Sequence, residues 1–152
     1  PHLGRWQWES DVERELARAA LARVELAGFE ARDVLTLSGG ERQRVALAAM
    51  FVQDASLLLL DEPVSHLDLH HQVMVLAHLG ELARAQGRAV LFSIHDLNMA
   101  IRFATHAVVL GPGGVVSLGP AAEVMNESVL AKAFGHPLAR IEHAGNILFV
   151  PG

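Results

Sequence analysis

Residues Leu37 to Pro63, LSGGERQRVALAAMFVQDASLLLLDEP, join a Ser-Gly-Gly turn, an amphipathic helix, and an apolar strand that ends in two adjacent carboxylates, Asp61 and Glu62. The run Leu57 to Leu60 leaves no room for polar alternation, which is the pattern of a parallel strand buried on both faces. Its carboxyl end is where open α/β sheets hold their ligands. There Asp61 offers hard oxygen donors of the kind that suit magnesium. Glu62, directed elsewhere from an extended backbone, is placed to polarise water. Pro63 stops the strand. Alone, the pair is equally compatible with ordinary loop carboxylates.

The residues before the strand bear on that choice. Gly39 and Gly40 remove the Cβ atoms that would keep a ligand from the backbone. A helix from about Glu41 to Gln53 presents unpaired N–H groups and a partial positive charge at its start. Such a turn favours an anion, the plain alternative being that Ser38 is a helix cap and the glycines a turn.

Downstream the arrangement recurs. Ala89 to Ile94, AVLFSI, reads as a second buried strand ending in His95 and Asp96, followed by a helix over Leu97 to Phe103. His95 can donate to a phosphate there, or be a satisfied loop histidine. Between the strands, Asp68 caps a helix from about Leu69 to Ala85, with Val73, Leu76, Leu79 and Leu82 inward and Gly87 closing it. Strand–helix–strand with polar groups at successive strand ends is the α/β nucleotide-site arrangement. His66, His70, His71 and His78 raise a zinc reading. The sequence offers no carboxylate or cysteine at a spacing that completes a tetrahedral set, so they read as solvated or interface histidines.

Outside this unit, Ser10 and Glu13 make a capping box for a first helix, with Val12, Leu16, Ala19 or Ala20, Leu21 and Val24 at helical spacing and Gly28 as its left-handed cap. His106 to Leu110 and Val115 to Leu118 form a hairpin about Gly111 to Gly114. Short helices follow near Ala121 to Met125 and from Ser128 to Phe134, the latter begun by Ser128. A last hairpin pairs Ala139 to His143 with Asn146 to Val150 about Ala144 and Gly145.

Composition excludes several classes. At 152 residues, 51% hydrophobic and 19% charged, the chain can bury a core, and no apolar run reaches the length of a membrane span. A net charge of −5 speaks against a nucleic-acid backbone binder, and the lack of cysteine removes disulfide and thiolate–metal frameworks. The single lysine, Lys132 in VLAKAFG, lies outside any GxxxxGK[ST] phosphate loop. With Pro1 at its start, the chain reads as a piece of something longer.

Taken together, LSGGERQRV, LLLLDEP, SHLD and SIHD, in this order, resemble the nucleotide-binding subunits of ABC transporters over essentially the whole chain. The resemblance implies an α/β fold: a partial P-loop NTPase (ABC-type) core with parallel strands, a helical signature region before it (about residues 5–54, the rest of the core being 55–152), and a C-terminal β-hairpin. It implies that Ser38, Gly39, Gly40 and Glu41 touch the ATP held mainly by an opposite subunit. Asp61 would support Mg2+, Glu62 would orient or deprotonate the attacking water, Asp68 would lie at the dimer contact, and His95 would reach the γ-phosphate. Val64 stands where the family often has threonine. The expected function is the ATPase of an importer, peripheral on the cytoplasmic face of the inner (plasma) membrane. Its partners would be a second nucleotide-binding subunit head to tail, transmembrane permease subunits and, indirectly, a substrate-binding protein, with no nucleic acid.

DLHHQ, HDLNMA and the tail AKAFGHPLARIEHAGNILFVP look most like importers for cobalamin, iron-siderophore or haem, cobalamin slightly ahead. Lacking the family's phosphate loop, the 152 residues by themselves are expected to be unstable and not to hydrolyse ATP efficiently. Two alternatives stand beside this: an ABC-type ATPase without a permease, and a non-catalytic partner supplying only the signature half-site.

Overall fold

In a computed structural model, which describes residues 11–53 and 55–152, the leucine run forms β1 (Leu57–Leu60) and pairs in parallel with β2 (Ala89–Phe92). Leu57 lies opposite Ala89 and Leu60 opposite Phe92. Parallel neighbours need a long crossover, and α3 (Leu69–Gln86) supplies it. Asp68 caps its start by accepting from the His71 N–H, and Gly87 ends it at φ +64°. Val75, Leu76, Leu79 and Leu82 are its buried residues. Val73, expected inward, is only half-buried, because Val75 and Leu76 lie nearer the centre of the packed stripe.

Burial on both faces of the strands is corrected by the structure. Leu58 is buried, but Leu57 and Leu59 are 54% and 67% exposed, as is Leu91 of β2 at 59%. One sheet face meets the core that α3 shares with the helix Gly39–Val52, and no described element covers the other.

The helices before the sheet are α1 (Asp11–Arg23) and α2 (Gly39–Val52), which pack on one another. The cap expected at Ser10 lies outside the described residues. At the other end of α1 the left-handed residue is Glu25, at φ +57°, not Gly28. Leu26 N–H donates to the Leu21 carbonyl at 2.9 Å and Glu25 N–H to that of Ala22 at 3.1 Å, which is a Schellman turn. Burial of Leu26, 1% exposed, holds the turn at that place, and Gly28 (φ +83°) serves the next bend. Of the expected inward face, Ala20 and Val24 are buried, while Val12 and Leu16 are exposed because α1 runs past the core at its start.

The second half builds its own core. Hairpin β3 (His106–Gly111) with β4 (Gly114–Pro120), helices α5 (Ala121–Val124) and α6 (Glu127–Phe134), and hairpin β5 (Leu138–His143) with β6 (Asn146–Pro151) surround Val109, Met125, Leu130 and Phe149. The cap of α6 is Asn126, not Ser128: its side chain accepts from the Val129 N–H at 3.0 Å. Gly111 is required by closeness, since a Cβ there would lie 2.9 Å from the Ala133 Cα. Joining the halves is α4 (Leu97–Phe103): Met99 and Phe103 pack on the first core, Leu97, Ala100 and Ile101 on the second. No described helix is long and apolar enough to cross a membrane.

Candidate functional site

Parallel pairing brings the ends of β1 and β2 side by side, and Ser93 is the residue that joins them. Its hydroxyl donates to Asp61 Oδ1 at 2.7 Å and accepts from the Glu62 N–H at 2.8 Å. His95 Nε2 lies 2.7 Å from Glu62 Oε1. Three of the residues singled out in the sequence, Asp61, Glu62 and His95, therefore form one bonded cluster at the carboxyl edge of the sheet.

Glu62 does not stand on extended backbone as expected: its φ is +44°. A left-handed residue with a Cβ costs roughly 1–2 kcal/mol, so the surroundings must enforce it. They do so from several sides, since its carbonyl accepts from Ser65 N–H at 3.2 Å, from the Ser65 hydroxyl at 3.1 Å and from Gln43 Nε2 at 3.4 Å. The twist turns the Glu62 carboxylate toward His95 while Asp61 stays on Ser93. Beside them a cleft of about 220 Å³ is lined by Glu62, Ser65, Gln72, Ser93 and His95 among others.

The Ser-Gly-Gly turn is a reciprocal capping box. Ser38 Oγ accepts from the Glu41 N–H at 3.3 Å, and Glu41 Oε2 from the Ser38 N–H at 2.7 Å. These backbone and side-chain hydrogen bonds from Ser38 hold the Glu41 carboxyl below its usual range. The capping reading of Ser38 holds: its side chain takes the Glu41 N–H, and Gly39 and Gly40 lie in the first turn, where a helix has no internal acceptor for its N–H groups. A Cβ on Gly39 would meet nothing within 4 Å, so that backbone is open to a ligand. Gly40 instead packs against the following turn, where a Cβ would lie 3.6 Å from the His66 carbonyl oxygen. Asp68 is occupied by capping: it accepts from His71 N–H at 3.0 Å and pairs with His71 Nδ1 at 2.7 Å, and these bonds lower its pKa.

Among the described residues no hydrogen bond joins Ser38 to Glu41, or Asp68, to the Asp61–Glu62–His95 cluster. The link is indirect. Gln43 on α2 donates to the Pro63 carbonyl at 2.6 Å, and Gln72 on α3 to the Leu67 carbonyl at 2.9 Å, so both helices fix the turn between Glu62 and Asp68. Ser93 and Gln43 were missed in the sequence, although each sits inside a motif already noted, SIHD and LSGGERQRV. Their partners are backbone groups and a carboxylate 19 to 32 residues away, for which composition holds no signal. Glu25, 45 residues from His70 in sequence, brings a carboxylate beside His70 and His71 that spacing along the chain did not show.

The donor set fits magnesium bound by oxygen, with Asp61 exposed at the strand end and, among the described residues, hydrogen-bonded on one oxygen. The helix start at Gly39 fits an anion. Between them the chain can hold a hydrated divalent ion and a carboxylate–imidazole pair on one edge, and a phosphate-sized anion on another.

Known proteins resemble this chain in sequence and fold. The family described as ABC transporter matches residues 4–65. A hemin import ATP-binding protein of Streptomyces coelicolor is 41% identical over 98% of this chain and 55% of its own length. A cobalamin import ATP-binding protein of Halobacterium salinarum is 42% identical over 88% of this chain and 33% of its own. Among solved structures, a metal-chelate type ABC transporter in an inward-facing conformation superposes with TM-score 0.81 at 28% identity, over 99% of this chain and 61% of that one. The chain thus spans about half the length of the curated relative from Streptomyces. Motif order, parallel strand ends and these matches lead to one statement: the chain belongs to the ABC transporter family of ATP-binding proteins.

Proposed function

We propose that this chain is part of the ATP-hydrolysing subunit of an importer, with Glu62 as the residue that orients or deprotonates the attacking water and His95 as its switch partner. The observation that carries the reading is the Asp61–Ser93–Glu62–His95 network on adjacent strand ends. ATP is the substrate. Asp61 would hold magnesium, directly or through water, and the ion would neutralise charge developing on the transferred phosphate. Glu62, bonded to the imidazole, has its carboxylate directed at the cleft. His95, 84% exposed at its side chain, would reach a phosphate oxygen in exchange for its bond to Glu62. Ser38, Gly39 and Gly40, with Glu41 locking the cap, serve the nucleotide of an opposing subunit, and Asp68 lies at that contact.

The reading extends to the assembly. Residues of about 5–54 form the helical signature region and 55–152 the C-terminal part of the core, in a head-to-tail dimer. It is peripheral on the cytoplasmic face of the inner membrane and drives permease subunits supplied by a substrate-binding protein. Its cargo is a metal chelate of the haem, iron-siderophore or cobalamin kind; relatives named for hemin and cobalamin at nearly equal identity support the class. Residues 1–152 carry no GxxxxGK[ST] loop and by themselves should turn over little ATP.

In the full-length protein, Glu62→Gln should preserve ATP binding and lower hydrolysis by about 10²–10⁴-fold, read as phosphate release beside nucleotide binding. Undiminished turnover would remove Glu62 from this role. Wild-type turnover by residues 1–152 alone would overturn the need for a separate phosphate loop.

A further inference from the structure

We propose that Glu25, His70 and His71 form a binding site for a divalent transition-metal ion of the zinc class, separate from the nucleotide edge. Two imidazoles and a carboxylate make a donor set that zinc accepts in tetrahedral sites, with water in the fourth position.

Three distances support it. Glu25 Oε1 lies 3.0 Å from His70 Nε2, and Glu25 Oε2 lies 3.5 Å from His71 Nε2. All three ligand atoms lie within 4.8 Å of one another. Ligands about 2.0–2.1 Å from a tetrahedral zinc stand about 3.3 Å apart, so the cluster needs only small side-chain adjustments to close on an ion. The ring of His71 is already oriented: its Nδ1 donates to Asp68 Oδ1 at 2.7 Å, which leaves the Nε2 lone pair for a metal. A carboxylate behind a ligating imidazole is the usual support in zinc sites.

Glu25 is placed by the left-handed turn that ends α1, His70 and His71 by the first turn of α3. His70 and Glu25 are exposed, with side chains 68% and 50% accessible, so an ion has a path in, while His71 is 19% accessible. Arg44 donates to the same His71 Nε2, and its own Nε is buried without a partner among the described residues. The ion would take that lone pair in place of the guanidinium. With neutral histidines, Glu25, Asp68 and Arg44 sum to one negative charge, which favours the exchange. A bound ion would cross-link the end of α1 to the start of α3, and thereby the helical region to the turn beside Asp68.

The test uses the full-length protein with zinc by calorimetry and cobalt as a spectroscopic probe, both without nucleotide. One equivalent of Co2+ should give the visible bands of a four-coordinate ion, and Zn2+ should displace it and raise Tm. His70→Ala and Glu25→Gln, both at exposed side chains, should each weaken binding about tenfold or more. His136→Ala, at an exposed histidine elsewhere, should leave it unchanged. No four-coordinate cobalt spectrum, or wild-type affinity in the Glu25→Gln/His70→Ala double variant, would overturn the site. Neither result depends on ATP hydrolysis, so failure here would leave the nucleotide reading untouched.

Discussion

Ser93 carries more of the site than its size suggests, because a single hydroxyl satisfies one carboxylate and one backbone N–H on the neighbouring strand end. Removing it frees Asp61 and loosens the left-handed backbone at Glu62. Replacing Ser93 with Ala should leave the fold in place, at a cost of about 1 kcal/mol, and lower ATP turnover of the full-length protein about tenfold or more. Circular dichroism melts beside steady-state phosphate release check this, and unchanged turnover would show that Ser93 does not position the carboxylates. Ser93 lies within the strand AVLFSI that the sequence marks. Its role was not legible there, because its partners arrive only when β1 and β2 pair.

Both helix starts at the site are held by ionised carboxyl groups, Glu41 on α2 and Asp68 on α3, each pushed down by the hydrogen bonds it accepts. A folded-state pKa below the unfolded value adds stability that is complete above the unfolded value. It is lost as pH falls through the folded one. These caps should therefore hold without change through neutral pH and weaken only in acid, below the ordinary carboxylate range. Amide exchange at Ser38 and His71, followed from pH 7 downward, should show protection lost in that window. Asp68→Asn should lower the pH dependence at His71 and leave that at Ser38 intact. A loss of protection at neutral pH would contradict the assignment. The two α2 and α3 starts were readable from Ser38, Glu41 and Asp68 because capping is local. The end of α1 was not: Gly28 has the better intrinsic freedom, but burial of Leu26 places the left-handed residue at Glu25.

Two cores share one connecting helix, and α4 has a further tie to the C-terminal hairpin. Asn98 accepts from the Phe149 N–H at 2.7 Å and donates to the Phe149 carbonyl at 3.3 Å, so its amide acts as a neighbouring strand for β6. Phe149 is 4% exposed, and its backbone groups would lose these partners in Asn98→Ala. That variant should lose about 2 kcal/mol of stability, with hydrogen exchange in β6 rising before that in β1. Equal exchange in β6 of the wild type and of Asn98→Ala would mean that packing alone holds the hairpin. Three residues after His95, Asn98 also links the proposed switch to the far end of the chain.

From the residues alone came the order of elements, the parallel pair, both hairpins and the cluster Asp61, Glu62 and His95 at the strand ends. Periodicity, turn residues and caps act over a few positions, and a strand that ends in carboxylates can be read without its neighbours. Tertiary structure decided which face of β1 is covered, the left-handed backbone of Glu62, the bridge through Ser93, and the meeting of Glu25 with His70 and His71. Each of these depends on groups distant in sequence, as Gln43 and Glu62 are at 19 residues and Glu25 and His70 at 45, or on which surface the packed helices reach, and no local pattern carries that information.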